Sequence, residues 1–545
     1  MVVPELRPWR AARPHVVRAA NAVRPRLARA MTAATLRTAR LTEALRPLTE
    51  RLPRPGTLGT WHYTAGAATA GLALAVGAVS VAGPWDADGQ RTAERDRAVA
   101  LERTGGADHG DSGTTAGAVR PAPSARAVLT GLGGADGPVT TRQAPSGAKP
   151  LEDVLQPLLD APALGGGHAA AVVDVTTGKR LYGTDADKAL APASTTKIAT
   201  AVAALSALGP DHRFTTRAVL EPDTRELVLV GGGDPTLTAR PQGGGTSRSS
   251  EPGSGGDRAS LRTLATDTAK ALKGRGIRKI TLSYDTTLFS GPALHRIGVN
   301  DNLAPVSALT ADEGRTDGST TGPAARVADP AADAAGKFAG FLKDAGITTT
   351  SPGPSKATTR ARTLAAVSSP PLSAVVERML TYSDNDIAET LARQTALASG
   401  EPASFDGGAK AVGAQLRRLG LPVSGAAFHD GSGLDRDDRL TADLLTALLV
   451  KAGDPARPGL RPVLTGLPVA GFTGTLTNRF ADGAAGVVRA KTGTLTGVNT
   501  LAGTVVDQDG RLLAFAFLAH DTTNPLEAQS ALDKTATALA ACGCR

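Results

Sequence analysis

Residues Trp61 to Trp85 (WHYTAGAATAGLALAVGAVSVAGPW) contain no Asp, Glu, Lys or Arg, and they divide the chain into parts that obey different rules. A stretch of this length with Trp at each edge meets the requirement for a helix that crosses a bilayer. Residues 1–60 hold twelve Arg against Glu5, Glu43 and Glu50, whereas residues 86–545 carry equal numbers of basic and acidic residues. The whole formal charge of +9 therefore belongs to the segment before the span. Positive charge stays on the cytoplasmic side, so residues 1–60 are expected to be cytoplasmic, Trp61–Trp85 transmembrane and the remainder outside. Two other readings of the span are a buried Ala-rich helix and a cleaved signal ending near Ser80-Val81-Ala82. The charge asymmetry opposes the first, and a basic region of 60 residues is too long for an ordinary signal. The tail itself reads either as a basic amphipathic segment resting on anionic lipid or as a disordered arm that sets topology.

Residues 86–150 lack periodicity and are rich in Gly, Ala, Ser, Thr and Pro, the composition of a flexible spacer. The folded body begins near Leu151. Its balanced charge excludes a nucleic-acid-binding surface as its main purpose. The only cysteines are Cys542 and Cys544, too close in sequence for an easy disulfide, and there is no CxxC or HExxH pattern. A zinc site and a disulfide framework are excluded, and no metal or cofactor is expected. The eight histidines are scattered and receive no role.

Ala169–Val175 is an apolar run that ends in Thr177-Gly178 and is followed by Lys179–Tyr182, which reads as a β-hairpin. Ser194 to Leu208 reads as a helix, with Ile198, Val202 and Leu205 at helical spacing and Gly209-Pro210 as the stop. Three strand-like runs come late: Val487–Thr494, Leu501–Asp507 and Arg511–Leu518. The last two are joined by the turn pair Asp509-Gly510. Asn524-Pro525 then caps a final helix. Strands at both ends around a helical middle predict an α/β (α+β) body, in which one antiparallel sheet is closed by the two chain ends. Residues 151–209 and 370–545 form this catalytic domain. Residues 210–369 form an inserted domain with a disordered loop over 240–258.

Three motifs carry chemistry. Ser194-Thr195-Thr196-Lys197 is S-x-x-K, Ser383-Asp384-Asn385 is S-x-N, and Lys491-Thr492-Gly493 is K-T-G on an expected strand. A serine hydroxyl needs a base to become a nucleophile, and a lysine three residues on along a helix lies on the same face. Burial, or a second cation such as Lys491, would lower the pKa of Lys197 far enough for the neutral amine to serve. The backbone N–H of Ser194 at a helix start and that of Thr494 on a strand edge are placed to receive a developing oxyanion. Ser383 is placed to pass a proton to a leaving amine and Asn385 to hold a substrate amide. Lys491 and Thr492 are placed to hold a carboxylate. All three motifs in order, each in its required context, make a specific combination. Gly231–Leu237 (GGGDPTL) reads as a structural turn, because no G-K-[ST] follows it. Asp430–Leu434 (DGSGL) reads as a loop lining the cleft, and Asp384 as a helix cap.

With the runs LAPASTTK, RFTT, GGGDPTL, SPPL, DGSGL and AKTGTL, the body resembles the D-alanyl-D-alanine carboxypeptidase/endopeptidase group. These are the class C low-molecular-mass penicillin-binding proteins of peptidase family S13. The resemblance covers about residues 151–545. It implies the serine β-lactamase/DD-peptidase (transpeptidase-like) fold, peptidoglycan stem peptides as substrate and inhibition by β-lactams. It assigns Ser194 as acylated nucleophile, Lys197 as general base, Ser383, Asn385 and Lys491 as the other catalytic residues, and Thr492, Gly493 and Thr494 to substrate and oxyanion binding. The stretch from Ser194 to Ser383 is short for the group, so a further inserted domain is missing. An inserted-domain Asp that reads the stem-peptide side chain has its nearest counterpart in Asp301. A serine β-lactamase and a β-lactam sensor or cell-wall scaffold are the alternatives. No deacylation Glu is recognisable for the first, and 60 Arg-rich residues are small for the signalling module of the second.

Overall fold

The computed structural model describes residues 150–241, 258–481 and 483–543. The expected span Trp61–Trp85, the tail and spacer around it and the run 242–257 lie outside them. Among the described residues no helix is long and apolar enough to cross a membrane.

The first part of the chain forms α1 (Leu151–Leu159), the hairpin β1 (Gly167–Asp174) and β2 (Arg180–Thr184), and α2 (Thr196–Leu208). The middle forms β3 (Thr215–Leu220), β4 (Glu226–Val230), α3 (Leu261–Lys273), β5 (Lys279–Asp285) and α4 (Pro330–Asp344). It ends with the two-residue strands β6 (Thr348–Thr349) and β7 (Gly353–Pro354), then β8 (Arg362–Ser368). The last part begins with α5 (Leu372–Tyr382), α6 (Asn385–Ala398), α7 (Phe405–Arg418), α8 (Ala442–Gly453) and the single turn α9 (Pro462–Thr465). Strands β9 (Val488–Leu495), β10 (Val498–Val506) and β11 (Leu512–His520) follow, and α10 (Pro525–Ala540) ends the fold.

The two chain ends meet in one five-stranded sheet of order β2-β1-β11-β10-β9, antiparallel throughout. β1 pairs with β11 from Gly167 opposite His520 to Asp174 opposite Leu513. Side chains alternate between the faces of a strand. Ala514, Ala516 and Leu518 therefore pack under α2, α5, α6 and α8, while Leu513, Phe515 and Phe517 pack with α1 and α10 on the other side. Covering both faces explains why Ala169 to Val173 are all buried and read as a continuous apolar run. Asp507 to Arg511 make the turn between β10 and β11, with Gly510 at φ 80°. Asn524 caps α10 by accepting from the backbone N–H groups of Leu526 and Glu527.

Helix α2 runs through the centre of the helical layer, and every residue from Thr196 to Leu205 is buried. Its many alanines let α5, α6 and α7 pack closely around it. The middle of the chain builds a separate sheet of order β6-β5-β4-β3-β8. That sheet has its own core, in which Leu227, Leu229 and Leu282 meet Leu264 of α3 and Phe338 of α4. β4 and β5 are parallel neighbours linked through α3. Strands β3 and β8 and helix α3 have weak periodic signals, and their placement comes from this tertiary core. Cys542 is disulfide-bonded, which corrects the expectation of an unbridged thiol.

Candidate active site

Ser194 lies in a single 3₁₀ turn, Ala193–Thr195, that leads directly into α2. Ala193 has φ 47°, a left-handed conformation that costs a non-glycine residue about 1–3 kcal/mol. Two glycines permit the turn. A Cβ on Gly493 would lie 2.7 Å from the Pro192 carbonyl oxygen and 2.1 Å from Thr500 Oγ1. A Cβ on Gly433 would lie 1.9 Å from the Ala193 carbonyl oxygen. The nucleophile turn is thus clamped between β9 on one side and the 430–435 loop on the other.

One turn into α2, the Lys197 amine is fully buried and makes three hydrogen bonds. It donates to Ser194 Oγ at 2.9 Å, to Asn385 Oδ1 at 2.6 Å and to the Ser432 carbonyl at 2.7 Å. Burial lowers its pKa to about 8, although Asp430, Glu389, Asp384 and Asp438 pull the other way. Desolvation accounts for this depression. Burial is thus the larger of the two expected causes, and the repulsion between the two lysine charges, the other one, acts beside it.

Lys491 stands on β9, also fully buried, and donates to Ser383 Oγ at 2.8 Å and to the Thr492 carbonyl at 2.7 Å. Burial holds its pKa well below the ordinary lysine value, and the nearby charges of Lys197 and Arg479 push the same way. Ser383 sits between α5 and α6 with φ 59° and ψ 39°. That left-handed kink turns its hydroxyl out of the helical layer toward β9. Asp384 accepts from the Ile387 N–H and caps α6. Asn385, the first residue of α6, is held at both ends: Oδ1 accepts from Lys197, and Nδ2 donates to the Asn302 carbonyl at 2.9 Å.

β9 is an edge strand, and its backbone groups alternate between facing β10 and facing outward. Ala490 N–H points outward, to the Pro468 carbonyl. Thr494, of the same parity and opposite Asn499, therefore aims its N–H at the open edge. Ser194 N–H lies in the first turn of its helical segment, where backbone donors have no intrahelical acceptor. Thr492 Oγ1 contacts Thr475 Oγ1 at 3.1 Å, and Thr494 is exposed.

The fold thus brings Ser194, Lys197 and Asn385 into one hydrogen-bonded group and Ser383 and Lys491 into a second beside it, with Thr492, Gly493 and Thr494 along the rim. Asp301 is exposed, beside the Asn302 whose carbonyl holds Asn385. Two contributors carried no motif, the Asn302 carbonyl and Glu389, and a third, the Ser432 carbonyl, belongs to the DGSGL loop read as lining the cleft. Glu389 accepts from the N–H groups of Gly431 and Ser432. Its spacing from Asn385, one helical turn, is the signal that marks it.

A family model described as the D-Ala-D-Ala carboxypeptidase 3 (S13) family matches residues 151–325 and 316–539. The chain is 38% identical over 390 residues to a carboxypeptidase of Mycobacterium tuberculosis, covering 69% of this chain and 80% of that protein. It is 30% identical over 461 residues to a D-alanyl-D-alanine carboxypeptidase of an Actinomadura species, covering 70% and 83%. Among solved structures, penicillin binding protein 4 of Haemophilus influenzae aligns with a TM-score of 0.56 at 22% identity. That alignment covers 70% of this chain and 98% of the other, and it shows a shared fold.

Proposed function

Because this chain belongs to the D-Ala-D-Ala carboxypeptidase 3 (S13) family and is a serine DD-carboxypeptidase, we propose that it works through an acyl-enzyme on Ser194, with Lys197 as the base. The observation that carries this reading is the contact of the Lys197 amine with Ser194 Oγ at 2.9 Å, inside a site that desolvates the amine.

In its neutral form the Lys197 amine accepts the Ser194 hydroxyl proton as Oγ attacks the carbonyl of the penultimate D-Ala. The tetrahedral oxyanion is received by the N–H groups of Ser194 and Thr494. Preorganised donors of this kind are each worth on the order of 10²–10³ in rate. Ser383, paired with Lys491, passes a proton to the leaving D-Ala nitrogen, and water later hydrolyses the ester. The side chains of Lys491 and Thr492 bind the terminal carboxylate, whose charge favours the ammonium form of Lys491. Asn385 orients a substrate amide, and Asp301 is the candidate to meet the free end of the stem-peptide side chain. A β-lactam follows the same path to acylation and stays attached.

The reading extends to the parts outside the described residues. Residues 1–60 are cytoplasmic, Trp61–Trp85 span the membrane, and the spacer holds the catalytic body outside, where it meets cross-linked stem peptides as a carboxypeptidase and endopeptidase. The charge asymmetry around an uncharged stretch supports this. The deciding experiment is incubation with labelled penicillin followed by peptide mapping. A label on the peptide that holds Ser194, persisting for many minutes, is the expected result. Turnover within seconds points to a β-lactamase, and an unlabelled protein overturns the acyl-enzyme reading.

A further inference from the structure

The loop whose Ser432 carbonyl holds the Lys197 amine does not stand by itself. Its backbone wraps around two buried carboxylates. Asp430 accepts from the N–H groups of Ser432 at 3.0 Å, Gly433 at 2.6 Å and Asp435 at 2.8 Å. Glu389, from α6, accepts from the N–H groups of Gly431 and Ser432. Asp430 Oδ2 also accepts from the Ser432 hydroxyl at 3.2 Å, Asp438 bonds the same carboxylate, and a further approach is taken by His295, which comes from the middle part of the chain. Its Nε2 lies 3.2 Å from Asp430 Oδ2, with both side chains buried. The other ring nitrogen, Nδ1, accepts from the Ile297 N–H at 3.2 Å, which leaves the proton on Nε2 and aims it at Asp430. The ring is fixed edge-on to Phe405, with centroids 5.0 Å apart. The next residue, Arg296, pairs with Asp435 and Asp437 and so grips the far end of the same loop. His295, Glu389 and Asp430 also lie close enough together to hold a metal ion. Their acceptor oxygens are already committed to backbone donors, so the cluster's chemistry is that of a brace.

We propose that His295 is a positioning residue for Lys197: by donating from Nε2 to Asp430 it fixes the 430–435 loop, and with it the Ser432 carbonyl that holds the Lys197 amine against Ser194. This rests on the reading of Lys197 as the base. The middle part of the chain, which carries none of the S-x-x-K, S-x-N and K-T-G residues, thereby contributes to activation of the nucleophile.

The same contact has an electrostatic side. Lys197 faces Asp430, Glu389, Asp384 and Asp438, all of which favour its ammonium form, and Lys491 lies close to it. His295 faces Asp430, Glu389 and Asp435. Burial opposes charge on the ring, but the hydrogen bond to Asp430 and these carboxylates outweigh it and raise its pKa. Removing the donor leaves the Asp430 charge less shared. That charge then draws Lys197 further toward the ammonium.

The two ring nitrogens allow a test. His295→Gln places an amide donor near the Nε2 position and keeps the bond to Asp430. His295→Asn places its amide near the Nδ1 position, so it keeps an acceptor for Ile297 N–H but loses the donor to Asp430. Acylation by a fluorescent penicillin is followed from pH 6 to pH 10, with a thermal melt of each variant. The Asn variant is expected to acylate about 10- to 100-fold more slowly at neutral pH, the range seen for misplaced catalytic groups. Its acid limb moves to higher pH, a change that a lower folded fraction does not produce. The Gln variant stays within a few-fold of wild type with its limb in place. Equal behaviour of the two variants, or a slow Asn variant with an unmoved limb, overturns the proposal. If the Asn variant does not fold, the Gln variant decides alone: a retained rate supports the brace, and a lost rate overturns it. A wild-type protein that shows no acylation or no acid limb instead overturns the reading of Lys197 as base, whatever the variants do.

Discussion

The Lys491 amine lies 2.8 Å from the Ser383 hydroxyl, and the Lys197 amine lies 2.9 Å from the Ser194 hydroxyl. The site thus contains two pairs of a buried lysine with a half-buried serine, one on a helix start and one bridging a helix junction to a strand. They are linked through the charges of the lysines and through the helix that carries Asn385. Two pairs suit a reaction that must move one proton off the nucleophile and another onto the leaving nitrogen.

The lysines should fail differently when changed. Lys197→Arg cannot supply a neutral base, because guanidinium does not deprotonate in this range. Its acylation should fall by on the order of 10²–10⁴. Lys491→Arg keeps its charge but changes its shape. It should retain measurable acylation with a weaker preference for a free terminal carboxylate. Rates of penicillin acylation for the two variants at neutral pH decide the matter, and equal rates would remove Lys197 from the role of base.

Acylation should depend on pH through Lys197. Its pKa is lowered to about 8, so below that value the amine is mostly protonated and cannot accept from Ser194. The rate should fall about tenfold per pH unit well below the pKa and level off above it. Stopped-flow acylation across pH 6 to 10 measures this. A rate that is flat from pH 6 to 8 contradicts the assignment.

Gly433→Ala tests the clamp on the nucleophile turn. The new methyl group would overlap the Ala193 carbonyl, at a backbone φ of 80° that disfavours side chains. The variant should lose at least about 1 kcal/mol of stability in a denaturant titration, together with most of its acylation. Wild-type values for both would show that the turn is free to move.

A protein that begins at residue 86 should be soluble and should acylate like the full chain. The basic excess and the uncharged stretch both lie before that residue, and the rest is charge-balanced. Size-exclusion chromatography with penicillin labelling checks this. Aggregation or inactivity specific to that truncation would mean that the N-terminal part belongs to the fold.

The site was legible where chemistry is local. Ser194 and Lys197 are one helical turn apart, Ser383 and Asn385 flank a cap, and Lys491 lies on a strand, so short spacings expose all five. The β10–β11 hairpin was legible for the same reason, through Asp509-Gly510. Contributions made by backbone groups or by distant segments were hidden. The carbonyls of Asn302 and Ser432 belong to no residue type, so although DGSGL marked its loop as lining the cleft, no pattern announces which backbone oxygen holds a side chain. His295 is brought to Asp430 only by the packing of the loop after β5 onto α6 and α7, a contact between distant segments that a scattered histidine does not announce. The depressed pKa of Lys197 and burial as a cause were foreseen, but the Ala-rich helical layer that buries the amine is a property of the assembled core.

The pairing of β1 with β11 has a consequence for the birth of the enzyme. Gly167 finds its partner in His520, more than 300 residues later, so β1 cannot take its place in the sheet until β11 has been made. Such long-range pairing is slow compared with local helix formation. A chain arrested before β9 would carry Ser194 and Lys197 but lack the edge that supplies Thr494 and the strand that supplies Lys491. Hydrolytic competence therefore waits on the strands from β9 onward, and a chain arrested before them is unable to cut anything.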